Sequence, residues 1–160
     1  MRLTSIAAAV VLASASSFVA AAEPEPCTSQ SCKAGSHART FADKSDPYYA
    51  CPSKELSDYI TAVIGITALN LAAGTLPNVS DETGEPELSG KAKAVVDGYR
   101  SEARVHSLDE AVARCEPGAN KRSVTVLNMP ASPSAISAYV LDESRHKTYW
   151  LPIAHLDRQK

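Results

Sequence analysis

Cys27, Cys32, Cys51 and Cys115 constrain the fold of this chain more than any other feature of its sequence. The set is even, and no two members have the C-x-x-C spacing of a redox motif. The close pair Cys27 and Cys32 has only His37 beside it, which argues against a zinc site. An even set of cysteines without metal spacing reads as a disulfide framework, and disulfides persist in oxidising compartments. Four cysteines allow three pairings. The favoured one joins Cys51 to Cys115 and Cys27 to Cys32, because Cys51 stands just before one predicted helix and Cys115 ends another. The long bridge would close a loop of about 65 residues, which chain-entropy arguments value at about 4 kcal/mol. The short bridge can close without a folded core.

The N-terminus agrees with that compartment. Arg2 is the only charge in "MRLTSIAAAVVLASASSFVAAA", Ile6 to Ala15 is an apolar run, and Ala20-Ala21-Ala22 fits a small-x-small cleavage site. Residues 1–22 therefore read as a secretory signal peptide. Past it the chain is mildly acidic. The full sequence has 16 Lys and Arg against 18 Asp and Glu, a net charge of −2. That balance leaves no basic footprint for nucleic acid. The expected address is periplasmic or secreted.

Residues 23–47 are rich in Pro, Ser, Lys and Asp and lack an apolar period, so the reading is an irregular N-terminal arm. A single α+β domain is expected over residues 48–160. Its first element is "SKELSDYITAVIGITALNLAAGTLP", where Ser53 can cap and Gly74 with Pro77 can stop a helix. Leu56, Tyr59, Ile60, Val63, Ile64 and Leu71 keep helical spacing, with further apolar residues on other sides, so the helix is expected to be long and largely buried. Tyr59 to Leu76 carries no charge and falls just short of the ~20 residues of a membrane span. An acidic loop follows, in which Asp81, Glu82, Glu85 and Glu87 could face a hard cation, although their order does not match an EF-hand. A second helix begins after Ser89. A third follows Ser107, whose spacing to Glu110 is that of a capping box. From Arg122 the period changes: "SVTVLNM", "AISAYVLD" and "KTYWLPI" read as strands. The expected fold is thus about three helices followed by a three-stranded antiparallel meander, with Pro152 marking an edge strand.

Chemistry is harder to find. There is no G-x-S-x-G elbow, P-loop, dinucleotide fingerprint or H-E-x-x-H pair. No catalytic residue, metal or cofactor is assigned. His106, His155 and Asp157 form the best residual trio for a small hydrolase with a histidine base, but nothing in their spacing brings them together. The candidate binding residues are Tyr139, Tyr149 and Trp150 on the strands, with Arg145 and His146 at the turn between them. Aromatic rings and arginine dominate protein-binding hot spots. Alternation along the last strand puts Thr148, Trp150 and Pro152 on one face and Tyr149, Leu151 and Ile153 on the other. The expectation is a small exported, disulfide-stabilised binding or accessory protein: an inhibitor, an immunity-type protein or an envelope-complex component. Its partner would be a protein in the cell envelope or outside the cell. The alternatives are the hydrolase and a membrane-associated protein inserting the 59–76 helix.

Overall fold

The computed structural model describes residues 25–28, 32–42, 44–132 and 134–158. The leader expected over residues 1–22 lies outside them. In chain order the elements are strands β1 (Glu25–Pro26), β2 (His37–Thr40) and β3 (Tyr49–Ala50), helices α1 (Lys54–Ala72), α2 (Gly90–Ala103) and α3 (Leu108–Ala113), then strands β4 (Glu116–Pro117), β5 (Ser123–Asn128), β6 (Ser137–Asp142) and β7 (Lys147–Pro152). A 3-10 turn at Ile153–His155 leads into β8 (Leu156–Arg158).

Among the described residues these strands form a six-stranded antiparallel sheet in the order β1-β8-β2-β5-β6-β7, and a two-stranded ribbon β3-β4. This overturns the expected three helices followed by a three-stranded meander. The runs at β5, β6 and β7 are strands, but they supply only half of the sheet. The other half comes from the N-terminal arm and the C-terminal tail. β2 lies between β8 and β5, with Ala38 opposite both Val124 and Arg158. The helical part differs too: α1 and α2 are helices of several turns, whereas α3 has only 6 residues.

Helix α1 follows the local signals at both ends. The Ser53 hydroxyl accepts from the Leu56 N–H at 3.3 Å. At the other end Gly74 adopts φ 75°, the Gly74 N–H donates to Leu71 O and the Thr75 N–H to Asn70 O, which is a Schellman stop. Its burial departs from expectation. The buried residues are Leu56 to Ile60 and Val63, all in the first half, while Leu69 is 72% and Leu71 51% exposed. Helix α1 is therefore not largely buried. Ser89 stands at the N-cap position of α2 but makes no capping hydrogen bond there. Ser107 does cap α3, accepting from the Glu110 N–H at 3.1 Å, and the Glu110 carboxylate answers by accepting from the His106 N–H at 2.7 Å.

Two core clusters result. One lies on a face of the sheet and contains Ala38, Val124, Val126, Val140, Tyr149, Leu151 and Leu156. The other is built by the helices around Tyr59, Ile60, Val63, Val96 and Ala111. The disulfides are Cys27–Cys32 and Cys51–Cys115. The first belongs to the sheet cluster and the second to the helical one. Cys27 and Cys32 are buried, and the Cys27 N–H donates to Leu156 O at 2.8 Å. The short bridge is thus part of the core and not a staple on a loose arm.

Tyr48 closes the sheet cluster. Its ring is 3% exposed, and its hydroxyl both donates to Ala119 O (3.1 Å) and accepts from the Ala119 N–H (3.2 Å). A Cβ on Gly118 would meet that ring at 2.5 Å. Gly118→Ala should therefore destabilise the protein by about 1–3 kcal/mol, as overpacking of a filled core does. Urea unfolding measures this; an unchanged midpoint would show that the Tyr48 ring yields freely.

Candidate functional site

Strands β6 and β7 pair Tyr139 with Trp150, Val140 with Tyr149 and Leu141 with Thr148. Partners across an antiparallel pair share a face. Ala138, Val140, Tyr149 and Leu151 consequently point into the sheet core and are all buried. Tyr139, Leu141, Thr148 and Trp150 point the other way and are half-buried or exposed. At one end of that second face α1 closes over it, where the Ser57 and Ser137 hydroxyls meet at 2.8 Å. Beyond Ser137 the face opens.

The Tyr139 and Trp150 rings stack there, with centroids 5.2 Å apart and planes inclined by 30°. The Tyr139 hydroxyl donates to Thr148 Oγ1 at 2.8 Å, which holds the phenol along the strand. Neither ring belongs to either core cluster. Trp150 is also held through its backbone: its N–H donates to Cys51 O and its C=O accepts from the Cys51 N–H, both at 2.8 Å. Because Cys51 carries the long disulfide, the aromatic pair is anchored to the helical half of the molecule.

The same face continues through β5 and β2, where His37 opposes Thr125 and Thr125 opposes Leu141. Glu143 caps this row. Its carboxylate accepts from the Thr125 hydroxyl at 2.8 Å and lies 2.8 Å from His37 Nδ1. The His37 contact first, and then Thr125, lower the Glu143 pKa.

The remaining candidates lie elsewhere. Tyr149 faces the core at 5% exposure, where burial first, and then Tyr48 beside it, push its phenol above the ordinary value. Arg145 and His146 occupy the β6–β7 turn. Asp142 shapes that turn, its Oδ1 accepting from the Ser144 N–H and hydroxyl and from the Arg145 N–H. Burial raises the Asp142 pKa, but these bonds outweigh it and the net shift is downward. His146 is exposed with φ 51°. Arg145 donates to Glu116 at 2.6 Å, and Lys147 pairs with the other oxygen of the same carboxylate. Lys147 chiefly, and then Arg145, hold the Glu116 carboxyl down at about 2. Arg145 thus braces the turn against β4 and does not converge with the stacked rings.

Two further places were not visible in the sequence. The acidic 78–90 loop does not present its carboxylates together. Glu85 turns inward, 7% exposed, and accepts from the Tyr59 hydroxyl and from Arg100, each at 2.5 Å. Arg100 also donates to Asp97 at 2.5 Å, and Asp97 accepts from Lys93 at 2.5 Å. Burial first, and then Glu85, raise the Tyr59 phenol above its ordinary value. Glu85, Lys93, Asp97 and Arg100 line a polar groove of about 530 Å³ in which His106 also lies. No cluster of three or more metal-ligating side chains occurs among the described residues. Only the i,i+3 and i,i+4 spacings of Lys93, Asp97 and Arg100 gave a sequence signal for the network. The second place is a small cavity beside His155, between α1 and the chain at 46–49. His106 and His155 therefore lie in separate cavities, and Asp157 lines neither.

Among the described residues no helix is long and apolar enough to cross a membrane. No family model, no curated protein and no solved structure matches this chain.

Proposed function

We propose that the chain is a small exported binding module, periplasmic or secreted, which engages a protein partner through the open face of β6 and β7. The observation that carries this reading is the Tyr139–Trp150 stack, two large rings held in a fixed geometry yet packed into neither core. Half-exposed aromatic rings on a rigid strand lose little entropy when covered, which is why such residues anchor interfaces. The two disulfides are consistent with an oxidising address. An accessory or inhibitory role fits a module whose stacked rings are presented on a rigid strand pair.

Trp150 is the only tryptophan, so its fluorescence reports on the site directly. A partner purified from envelope or culture fractions should blue-shift that emission on binding. Trp150→Phe and Tyr139→Ala should each weaken the complex at least tenfold, about 1.4 kcal/mol, with native folding retained by circular dichroism. A purified partner that binds both variants as tightly as the wild type, and leaves the Trp150 emission unmoved, would sink the proposal.

A further inference from the structure

The second half of α1 stands clear of the core. After Val63 no residue of the helix is buried. Leu69 and Leu71 are 72% and 51% exposed, and Leu76, just past the helix end, is 82% exposed. Ile64, Ala68 and Leu71 follow i, i+4, i+7 spacing with Gly65 and Ala72 beside them, so these five share one face. Gly65 leaves a hole in that face. A Cβ there would meet nothing within 4 Å, and Gly65 and Ala68 line a cavity of about 160 Å³ together with Pro152 and Ala154. A helix that is apolar on most of its sides belongs in a covered position.

Charge and area both bear on what covers it. Residues 59–80 carry no Asp, Glu, Lys, Arg or His. A two-fold contact sets the same patch of both copies face to face. A patch of one charge would repel itself there, and this one has none. The next charged residues in sequence, Asp81, Glu82, Glu85 and Glu87, are all acidic, which an anionic lipid surface repels. As to area, full burial of a leucine side chain corresponds to about 100 Å² of apolar surface. With Ile64, Ala68 and Ala72 added to the three leucines, the face reaches about 500 Å² per copy. Two copies then cover about 1,000 Å², the lower bound of a specific interface.

We propose that this face pairs with the same face of a second copy of the chain, the two α1 helices running antiparallel about a two-fold axis at Ala68. That axis sets Leu71 of each copy opposite Gly65 of the other, since both stand three residues from Ala68. Leu71 is the knob, and the cavity that Gly65 uncovers is the hole. The contact is reciprocal, as an isologous pair requires. It uses none of the residues of the Tyr139–Trp150 face, and neither proposal depends on the other.

Sedimentation velocity on the exported chain, with both disulfides intact, should show a reversible monomer–dimer equilibrium in the micromolar range, as an interface at this lower bound gives. Leu71→Glu should weaken dimerisation at least tenfold. Its thermal midpoint in dilute solution should match that of the wild type, because Leu71 is half-exposed in the monomer. Gly65→Leu fills the hole and should also weaken dimerisation at least tenfold, which provides a second variant should the first fail to fold. Ala68→Cys should cross-link to its own counterpart on oxidation by copper phenanthroline, whereas Glu102→Cys, exposed on α2, should not. A chain that stays monomeric at every concentration overturns the proposal. So does a dimer that survives both Leu71→Glu and Gly65→Leu, or one in which Glu102→Cys cross-links as fast as Ala68→Cys. A chain that stays monomeric yet binds phosphatidylglycerol vesicles, and loses them in Leu71→Glu, would put a lipid surface in place of the second copy.

Discussion

Replacing Cys51 and Cys115 together by alanine lowers the unfolding free energy by about 4 kcal/mol, because the bridge joins positions 64 residues apart. A domain of this size is stable by only about 5–15 kcal/mol, so the loss removes a large share of the total. The thermal midpoint should fall by about 10–20 °C. The bridge acts chiefly on the unfolded chain, whose freedom it restricts. The folded state already holds the two ends together by other means: β3 and β4, which flank the cysteines, pair Tyr49 with Pro117 and Ala50 with Glu116. The alanine variant should therefore keep the native far-ultraviolet spectrum below its midpoint. Cys27 and Cys32 are 5 residues apart. Removing that bridge costs about 2 kcal/mol in chain entropy. A non-reducing urea series on both double variants makes the comparison. A smaller loss for the Cys51–Cys115 variant than for the Cys27–Cys32 variant would mean that packing around the short bridge, and not loop closure, dominates.

The parts of the fold legible in the sequence are those where local chemistry and tertiary packing ask for the same residues. Helix α1 announces itself by Ser53 at one end and Gly74 at the other, and both act as caps in the structure. β5, β6 and β7 are rich in β-branched and aromatic residues, and their alternation correctly separates Trp150 from Tyr149. β2 was missed because its inward positions are Ala38 and Thr40. Neither gives an apolar period, yet both are buried, and Thr40 ties the strand to the 119–122 turn through bonds to Ala119, Lys121 and Arg122. The burial of Cys27 and Cys32 was hidden for a related reason. Their neighbours in sequence are polar, and the apolar surface around them comes from Leu156 and the other strands of the sheet. The open aromatic pair is half-legible. Period-two alternation predicts that Tyr139 and Trp150 can share a face only once their register is known, and register depends on the turn that Asp142 shapes.

Glu85 marks the limit of local reasoning, and it carries the second large effect. In "DETGEPE" it is one of several carboxylates in a loop that reads as solvated, yet its side chain is only 9% exposed against Arg100 at 22%. Arg100→Met removes the guanidinium and leaves the carboxylate buried with the Tyr59 hydroxyl as its remaining donor. Breaking a buried pair by deleting one partner costs about 3–5 kcal/mol, and the partial exposure of Arg100 places this case near the lower figure, about 3 kcal/mol. Asp97 keeps Lys93, so little of the loss arises there. The penalty is that of an uncompensated charge. It should therefore shrink when the charge is removed as well. In the Arg100→Met, Glu85→Gln double variant the amide oxygen still accepts from Tyr59 and needs no counterion. The double variant should unfold at a higher urea concentration than Arg100→Met alone, with a coupling energy above about 1 kcal/mol. Strictly additive losses, or a loss under about 1 kcal/mol for Arg100→Met, would show that water reaches Glu85. The joint between α1, the 78–90 loop and α2 would then rest on Val96, Val105 and their neighbours and not on the ion pair.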